Sequence, residues 1–519
     1  MNFHRSLLSL PLVCAVLAWA CSKSSGTGGG SPTDAGGDTG AGNDSGPDSP
    51  PTPPQDTSTG SCTYNGSDPI DFCLQKTVLQ NELTDAYAKG KGVPPSWDAM
   101  GTTGSPHSWR DDVGFAASIG AYHCSSSAYA DNQLTPMLDA IMPDLGALIV
   151  QELSMPPSGY DGEDYFRLRA AATGLNYAND TMDAATVAQL ADAFGRNLQT
   201  TYAQTVTLPE GGTATVLGTP DGMGNVVYAP AQVIMAAAAL VDMANLHASD
   251  PDAGADVAAW VVTALAAVDY VWARGRDTST GLFFQQLVTS SDPDHDALGQ
   301  GMPAPDALLT DVQAEAVLGL ARLQDGVNAL VAADAGPSDA SVLTQSEYWN
   351  DANTIAQSLV AAGLFDGAVP MGEAGIPNPA PVGAFMEALV PSTTAMDTNK
   401  TTLGNAWLLG GVHRVGAGMP TQLTDVLQPQ LLAAIGQQTP ASSSLFTVVV
   451  DTQTGNPVQS DYLRASSKDF HYATSFSADG GTGGPEPGAT SYRADAVAAV
   501  IEGLTQLWRG TPNAPPCAH

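Results

Sequence analysis

The sequence predicts an all-α protein, an (α/α)6 toroid of six helical hairpins with small β-hairpin insertions in its long loops. Three observations predict it. Apolar residues recur at three-and-four spacing in twelve segments between residues 69 and 508. The links between those segments alternate short and long, which puts the long loops on one rim. The even-numbered segments also carry the small residues that allow helices to close around a tight inner ring. Up-and-down helices elaborated on a single rim fit a closed ring better than an open solenoid, with an irregular helical array as the alternative.

The elements follow in chain order. Met1 to Arg5 is a short polar region with one basic residue, and Leu7 to Ala18 is an apolar run too short to persist as a transmembrane helix. Residues 1–20 therefore read as a secretory signal, with Ala18 and Ala20 where a signal peptidase needs small side chains. The placement of Cys21 directly after them resembles the lipobox of bacterial lipoproteins, although Ala18 and Trp19 depart from its usual residues. That resemblance implies lipidation of Cys21, and Ser22 after it implies the outer membrane. Simple secretion is the alternative. Residues 21–61 are mostly Gly, Ser, Thr, Asp and Pro with no aromatic residue, so they form a disordered tether with no core of its own.

The helical domain is expected over 62–519. Segments 69–88 and 107–125 open it, the second containing Gly114-Phe115-Ala116-Ala117. Segments 133–153 and 161–175 follow, the latter with Ala170-Ala171-Ala172. Segment 183–203 leads into Thr205 to Val227, where Gly211-Gly212 and Asp221-Gly222 punctuate β-branched residues and predict a hairpin. Segment 229–247 holds four consecutive alanines from Ala236, and 252–274 and 306–324 come next, the last with Val317-Leu318-Gly319-Leu320-Ala321. Segments 345–363, 398–415 and 421–437 precede an extended piece from Leu445 to Val450, and 489–508 closes the set with Ala494 to Val500. Links 126–132, 176–182, 248–251 and 416–420 are short, whereas 89–106, 204–228, 275–305, 364–397 and 438–488 are long. Links 154–160 and 325–344 break the alternation. The even-numbered segments are assigned to the inner ring and begin at the long-loop rim.

Four cysteines remain beyond Cys21, an even number that suits two disulfides in an oxidising compartment. Antiparallel packing of the first two segments brings Cys73 and Cys124 to the short-loop rim, with Cys62 and Cys517 flanking the first and last helices there. The expected pairs are Cys73 with Cys124 and Cys62 with Cys517; the other two connectivities stay open, and bond geometry decides among them.

Charge narrows the partners. With 53 Asp+Glu against 18 Lys+Arg, the net charge of -35 argues against nucleic acid, whose phosphates need a basic surface. Of those acids 43 are aspartates, which reads as an acidic surface or, more sharply, as scattered calcium sites. Calcium is the one cofactor this leaves open. The cluster Asp292-Pro293-Asp294-His295-Asp296 reads as a solvated charged loop, with metal binding as the sharper alternative. No P-loop, nucleophile-elbow or H-E-x-x-H motif is present.

Twelve alternating helices, with Tyr270-Val271-Trp272 leading to Thr280-Gly281-Leu282-Phe283-Phe284 and with Asp311-Val312-Gln313-Ala314-Glu315, resemble the six-hairpin glycosidase superfamily over most of residues 62–517. That superfamily includes bacterial endo-mannanases, unsaturated glucuronyl hydrolases and the N-acylglucosamine 2-epimerase fold. The resemblance implies a carbohydrate ligand and a cleft at the inner-helix N-termini.

If even helices start at that cleft, their first turns supply its chemistry. Glycoside hydrolysis needs two carboxyls flanking one bond and aromatic rings on which sugars pack. The expected catalytic acids are Asp111, Asp112, Asp164 and Glu315; Asp111-Asp112 resembles the adjacent aspartates of the endo-mannanases, without matching flanks. The expected substrate-binding residues are Trp109, Arg110, Glu163, Tyr165, Tyr228, Asp311, Trp407, His471, Tyr492 and Arg493. Acids in a first turn also cap free N–H groups, and Asp161, Asp306 and Ser491 are expected to do only that. The favoured reading is an exported glycoside hydrolase. A lyase or epimerase on the same fold, and a non-catalytic glycan-binding surface lipoprotein, are the alternatives. The sequence leaves the glycan and the oligomeric state open.

Overall fold

The computed structural model describes residues 96–98, 154, 184–246, 254–292, 295–299, 305–332, 347–366, 384–397, 401–413, 420–428, 448–450, 457–459, 491–493 and 499. The expectations for the signal, the tether, the cysteines and the first four helical segments lie outside them; Ser154, expected to open the link 154–160, is helical.

Six helices are described: α1 Ala184–Tyr202, α2 Pro230–Leu246, α3 Gly254–Arg274, α4 Thr310–Ala332, α5 Glu347–Ala361 and α6 Thr402–His413. Pro230 occupies the first helical position of α2, where its missing N–H costs nothing. Burial then divides the helices into two layers. In α2 almost every residue is inside, including all four alanines 236–239. In α3 burial follows Trp260, Ala264, Ala267, Val268 and Val271, one stripe of an amphipathic helix, while Val262 is exposed. In α5 the stripe is Ala352, Ile355, Ala356 and Leu359, with Thr354 and Gln357 outward. So α2, α4 and α6 form the inner layer, packed side by side, and α3 and α5 back α2 and α4.

The inner helices run in the same direction. Asp311 near the start of α4 receives a short hydrogen bond from the Thr401 hydroxyl just before α6, and Gly411 late in α6 lies against Val317 and Leu318. A Cβ at Gly411 would stand 2.7 Å from Val317 Cγ1 and 2.9 Å from the Leu318 nitrogen, so only glycine permits this approach. On the other flank, Arg322 pairs with Asp242 at 3.1 Å and the Asn245 amide donates to the Gly326 carbonyl at 2.9 Å.

Short antiparallel sheets stitch the long loops together before each inner helix. The loop after α1 forms a hairpin of β2 Ala203–Thr207 and β3 Thr213–Leu217, turning at Gly211 and Gly212, both at positive φ. The expected single hairpin from Thr205 to Val227 is in fact two, because β4 Thr219–Pro220 and β5 Val226–Tyr228 pair around a second turn. Strand β5 then pairs with β6 Leu287–Val288, and β6 with β7 Ala297–Leu298, both in the loop after α3. Strand β8 Leu308–Leu309, immediately before α4, pairs with β11 Ala388–Val390, which also pairs with β12 Ala395–Asp397. In the same loop β9 Phe365–Asp366 pairs with β10 Ala384–Phe385.

Four expectations change. The segment expected as helix over 306–324 starts as a strand and becomes helical only at Thr310, because Leu308 and Leu309 find ladder partners in β11. Asp306 consequently caps no helix and accepts the Ser392 N–H at 3.3 Å. Residues expected to begin the last helix, Ser491, Tyr492 and Arg493, form β15 Ser491–Arg493, paired with β1 Ser96–Asp98. The segment beginning at 421 is described to Gln428 and widens into a π-helical turn, Leu423–Leu427. The extended piece at 445–450 contains β13 Val448–Val450, paired with β14 Pro457–Gln459.

Candidate functional site

The elaborated loops and the inner-helix N-termini meet at one rim. Helix α4 fixes its geometry. Gln313 and Gln324 point to the outer layer, meeting Phe283 and the N–H of Tyr348 in α5. Asp311, Glu315, Leu318 and Arg322 recur at i, i+4, i+7 and i+11 on the opposite side, between the α2 and α6 contacts. That side faces away from the outer helix α5. On α6, Asn405 turns to the outer layer, and Trp407, two positions on and so about 200° round the helix, lies on the inward side. Asp311 meets the start of α6 through Thr401, and Glu315 and Trp407 lie further along α4 and α6, on the two adjoining inner helices. Asp311 is half-buried, and Glu315 and Trp407 are 4% exposed.

Two side-chain amides hold the loops to the outward faces of α4 and α6. The Phe283 N–H donates to Gln313 Oε1 at 2.8 Å, while Gln313 Nε2 donates to the Phe283 carbonyl at 2.8 Å and to that of Leu309 at 3.2 Å. One hairpin on, the Phe385 N–H donates to Asn405 Oδ1 at 2.8 Å, and Asn405 Nδ2 donates to the carbonyls of Phe385 at 3.1 Å and Thr401 at 2.8 Å. Both amides are fully buried, so neither bond competes with water. Sequence reasoning missed these clamps. Their one trace is the recurrence of Gly-Leu-Phe at 281–283, which ends in the first clamped phenylalanine, and at 363–365, which ends in the strand partner of the second, Phe385.

A third anchor lies beneath the β5–β6–β7 sheet. Asp296 Oδ2 accepts from Tyr228 at 2.8 Å and Tyr270 at 2.6 Å; its Oδ1 accepts from Arg274 at 2.9 Å and the Ser290 N–H at 3.0 Å. Asp296 is wholly buried, which corrects the expectation of a solvated acid at that position, whereas Asp292 is exposed and residues 293–294 lie outside the described residues. Tyr228 is also wholly buried and commits its hydroxyl to Asp296. Burial, reinforced by the Asp296 charge, pushes the Tyr228 phenol well up; burial and the hydrogen bond to Asp296 do the same to Tyr270. For Arg274 burial disfavours the charge, but the hydrogen bond and charge of Asp296 outweigh it and hold its pKa above the ordinary value. Among the described residues no group of three His, Cys, Asp or Glu is assembled to hold a metal ion.

Tyr492 and Arg493 sit in β15, in register with Trp97 and Ser96. Asp111, Asp112, Asp164, Trp109, Arg110, Glu163, Tyr165 and His471, together with Cys21, Cys62, Cys73, Cys124 and Cys517, lie outside the described residues.

No family model and no curated protein matches the chain. Solved structures do. An unsaturated glucuronyl hydrolase specific for heparin superposes with a TM-score of 0.53 at 9% identity, over 84% of this chain and 96% of that one. An unsaturated glucuronyl hydrolase responsible for glycosaminoglycan degradation, from Bacillus sp. GL1, gives 0.50 at 11% identity, over 84% and 97%. At such identities the likeness is one of fold alone, and the fold is the (α/α)6 toroid.

Proposed function

We propose that this chain, which has the six-hairpin glycosidase fold, is an exported enzyme that hydrolyses glycosidic bonds in an extracellular glycan. One observation carries the reading: two carboxylates, Asp311 and Glu315, stand one turn apart at the start of the inner helix α4, with Trp407 on the adjoining inner helix α6. Hydrolysis of a glycoside requires that combination of acid groups and an aromatic surface. The similar structures are named as glycan hydrolases, which supports the same class. Glu315 is the described member of the catalytic set, with Asp111, Asp112 and Asp164 supplying partners from the inner helices expected at 107–125 and 161–175. Asp311 and Trp407 bind the sugar, and Cys21 with the Gly/Ser/Pro tether holds the ring at the outer membrane.

The test is reducing-end release from a panel of neutral and acidic polysaccharides, with ultraviolet absorbance followed for unsaturated uronates. Release without absorbance, lost in Glu315→Gln, establishes the hydrolase. Absorbance identifies a lyase instead, and silence on every substrate identifies a binding protein.

A further inference from the structure

A carboxylate points where its partners hold it, and Asp311 is held from the neighbouring helix. It stands half-buried in the first turn of α4, where a negative charge suits the helix dipole. Its side chain reaches across to the start of α6. There Asp311 Oδ1 accepts a short hydrogen bond from the hydroxyl of Thr401, a residue 90 positions on in sequence.

Thr401 immediately precedes α6 and is itself fixed in place. Its hydroxyl oxygen accepts the Gly404 N–H at 3.3 Å, the bond by which an N-cap residue satisfies a donor of the first turn. Its carbonyl accepts the Asn405 N–H at 3.3 Å and the Asn405 side-chain amide at 2.8 Å. A hydroxyl has one proton to give, and with the oxygen accepting from α6 that proton goes to Asp311.

Gly404 completes the arrangement. A methyl group there would overlap Asp311 Oδ1 and would stand 3.0 Å from Thr401 Oγ1 and 3.1 Å from Asp311 Cγ. Glycine weakens a helix relative to alanine, and here the close approach of the carboxylate requires it. The first turn of α6 is thus shaped around a side chain that belongs to α4.

We infer that Thr401 and Gly404 are positioning residues for the sugar-binding carboxylate of Asp311: the hydroxyl fixes its direction and the bare Cα gives it room. The inference rests on the proposed glycosidase function, with Asp311 as a sugar-binding group, and adds two residues which that reading did not name. A carboxylate ordered before the sugar arrives need not be immobilised by binding, so its contact contributes more to affinity. Without the hydroxyl, the sugar itself must order the side chain.

The experiment measures kcat, KM and Tm for wild type, Thr401→Val, Thr401→Ser and Gly404→Ala on the glycan that the panel identifies. Thr401→Val keeps the shape and removes the donor; it is expected to raise KM about tenfold with kcat nearly unchanged, the pattern of lost uniform binding. Thr401→Ser keeps the hydroxyl and is expected to restore the wild-type KM. Gly404→Ala displaces the carboxylate and is expected to raise KM at least as far as Thr401→Val does. In an Asp311→Ala background, Thr401→Val is expected to change KM no further, because the hydroxyl then has nothing to aim. A role confined to capping α6 lowers Tm, and through the folded fraction lowers the apparent kcat, but leaves KM alone. A wild-type KM in Thr401→Val therefore overturns the inference and leaves the glycosidase reading standing. An effect of Thr401→Val that persists without Asp311, or that Thr401→Ser shares, overturns it equally. Should Gly404→Ala not fold, the Thr401 variants decide alone. Silence of the wild type on every glycan overturns both readings.

Discussion

The Arg274 guanidinium lies 2.9 Å from the Asp296 carboxylate, with 6% and 0% of the two side chains exposed. This pair joins the last turn of α3 to the loop carrying β6 and β7, so the outer layer grips the rim through one buried charge contact.

Asp296→Asn leaves that guanidinium buried without its counter-charge and weakens two phenol hydrogen bonds. Loss of one partner from a buried ion pair costs about 3–5 kcal/mol. The urea midpoint of the variant is expected to fall accordingly, and an unchanged midpoint would contradict the role assigned to Asp296.

The same network predicts a pH dependence at the alkaline end. Tyr228 and Tyr270 hold their protons in the folded state above the ordinary phenol value of 10.0. A raised folded pKa gives stability that is complete below the unfolded value and is lost as pH rises beyond it. Denaturant stability is therefore expected to decline above about pH 10. Tyr270→Phe, less stable at neutral pH, should show a shallower decline.

Asn405→Ala removes both partners of the Phe385 backbone at a buried site. Each orphaned polar group costs about 1–3 kcal/mol. Hydrogen exchange at the Phe385 amide is expected to accelerate together with the fall in stability. If protection there survives the substitution, the clamp does not hold the loop.

Gly411→Ala forces a methyl group against Val317 and the backbone of Leu318. Overpacking of this kind costs about 1–3 kcal/mol. Differential scanning calorimetry should register a lower Tm, whereas a neutral result would show that α4 and α6 separate easily.

Much of the fold was legible where burial imposes a period. Segments expected at 229–247, 252–274 and 345–363 appear as α2, α3 and α5 within a few residues, because each must turn an apolar face inward. Legibility failed where the deciding partner is distant in sequence. Leu308 and Leu309 continue the helical period of α4, yet pair with a strand some 80 residues on. Asp296 looked like one of several loop acids, since Tyr228, Tyr270 and Arg274 converge on it only after folding. The alternation of loop lengths, by contrast, located the rim directly.

The amide clamps have an evolutionary corollary. Gln313 and Asn405 hold their loops entirely through the N–H and carbonyl of one phenylalanine each, groups that every residue except proline possesses. The side chain carried at that point is therefore irrelevant to the clamp itself. Each clamp behaves as a socket with a standard plug, and the residue seated in it can change to any but proline while the strand pairings and the Asp296 anchor continue to hold the rest of the loop.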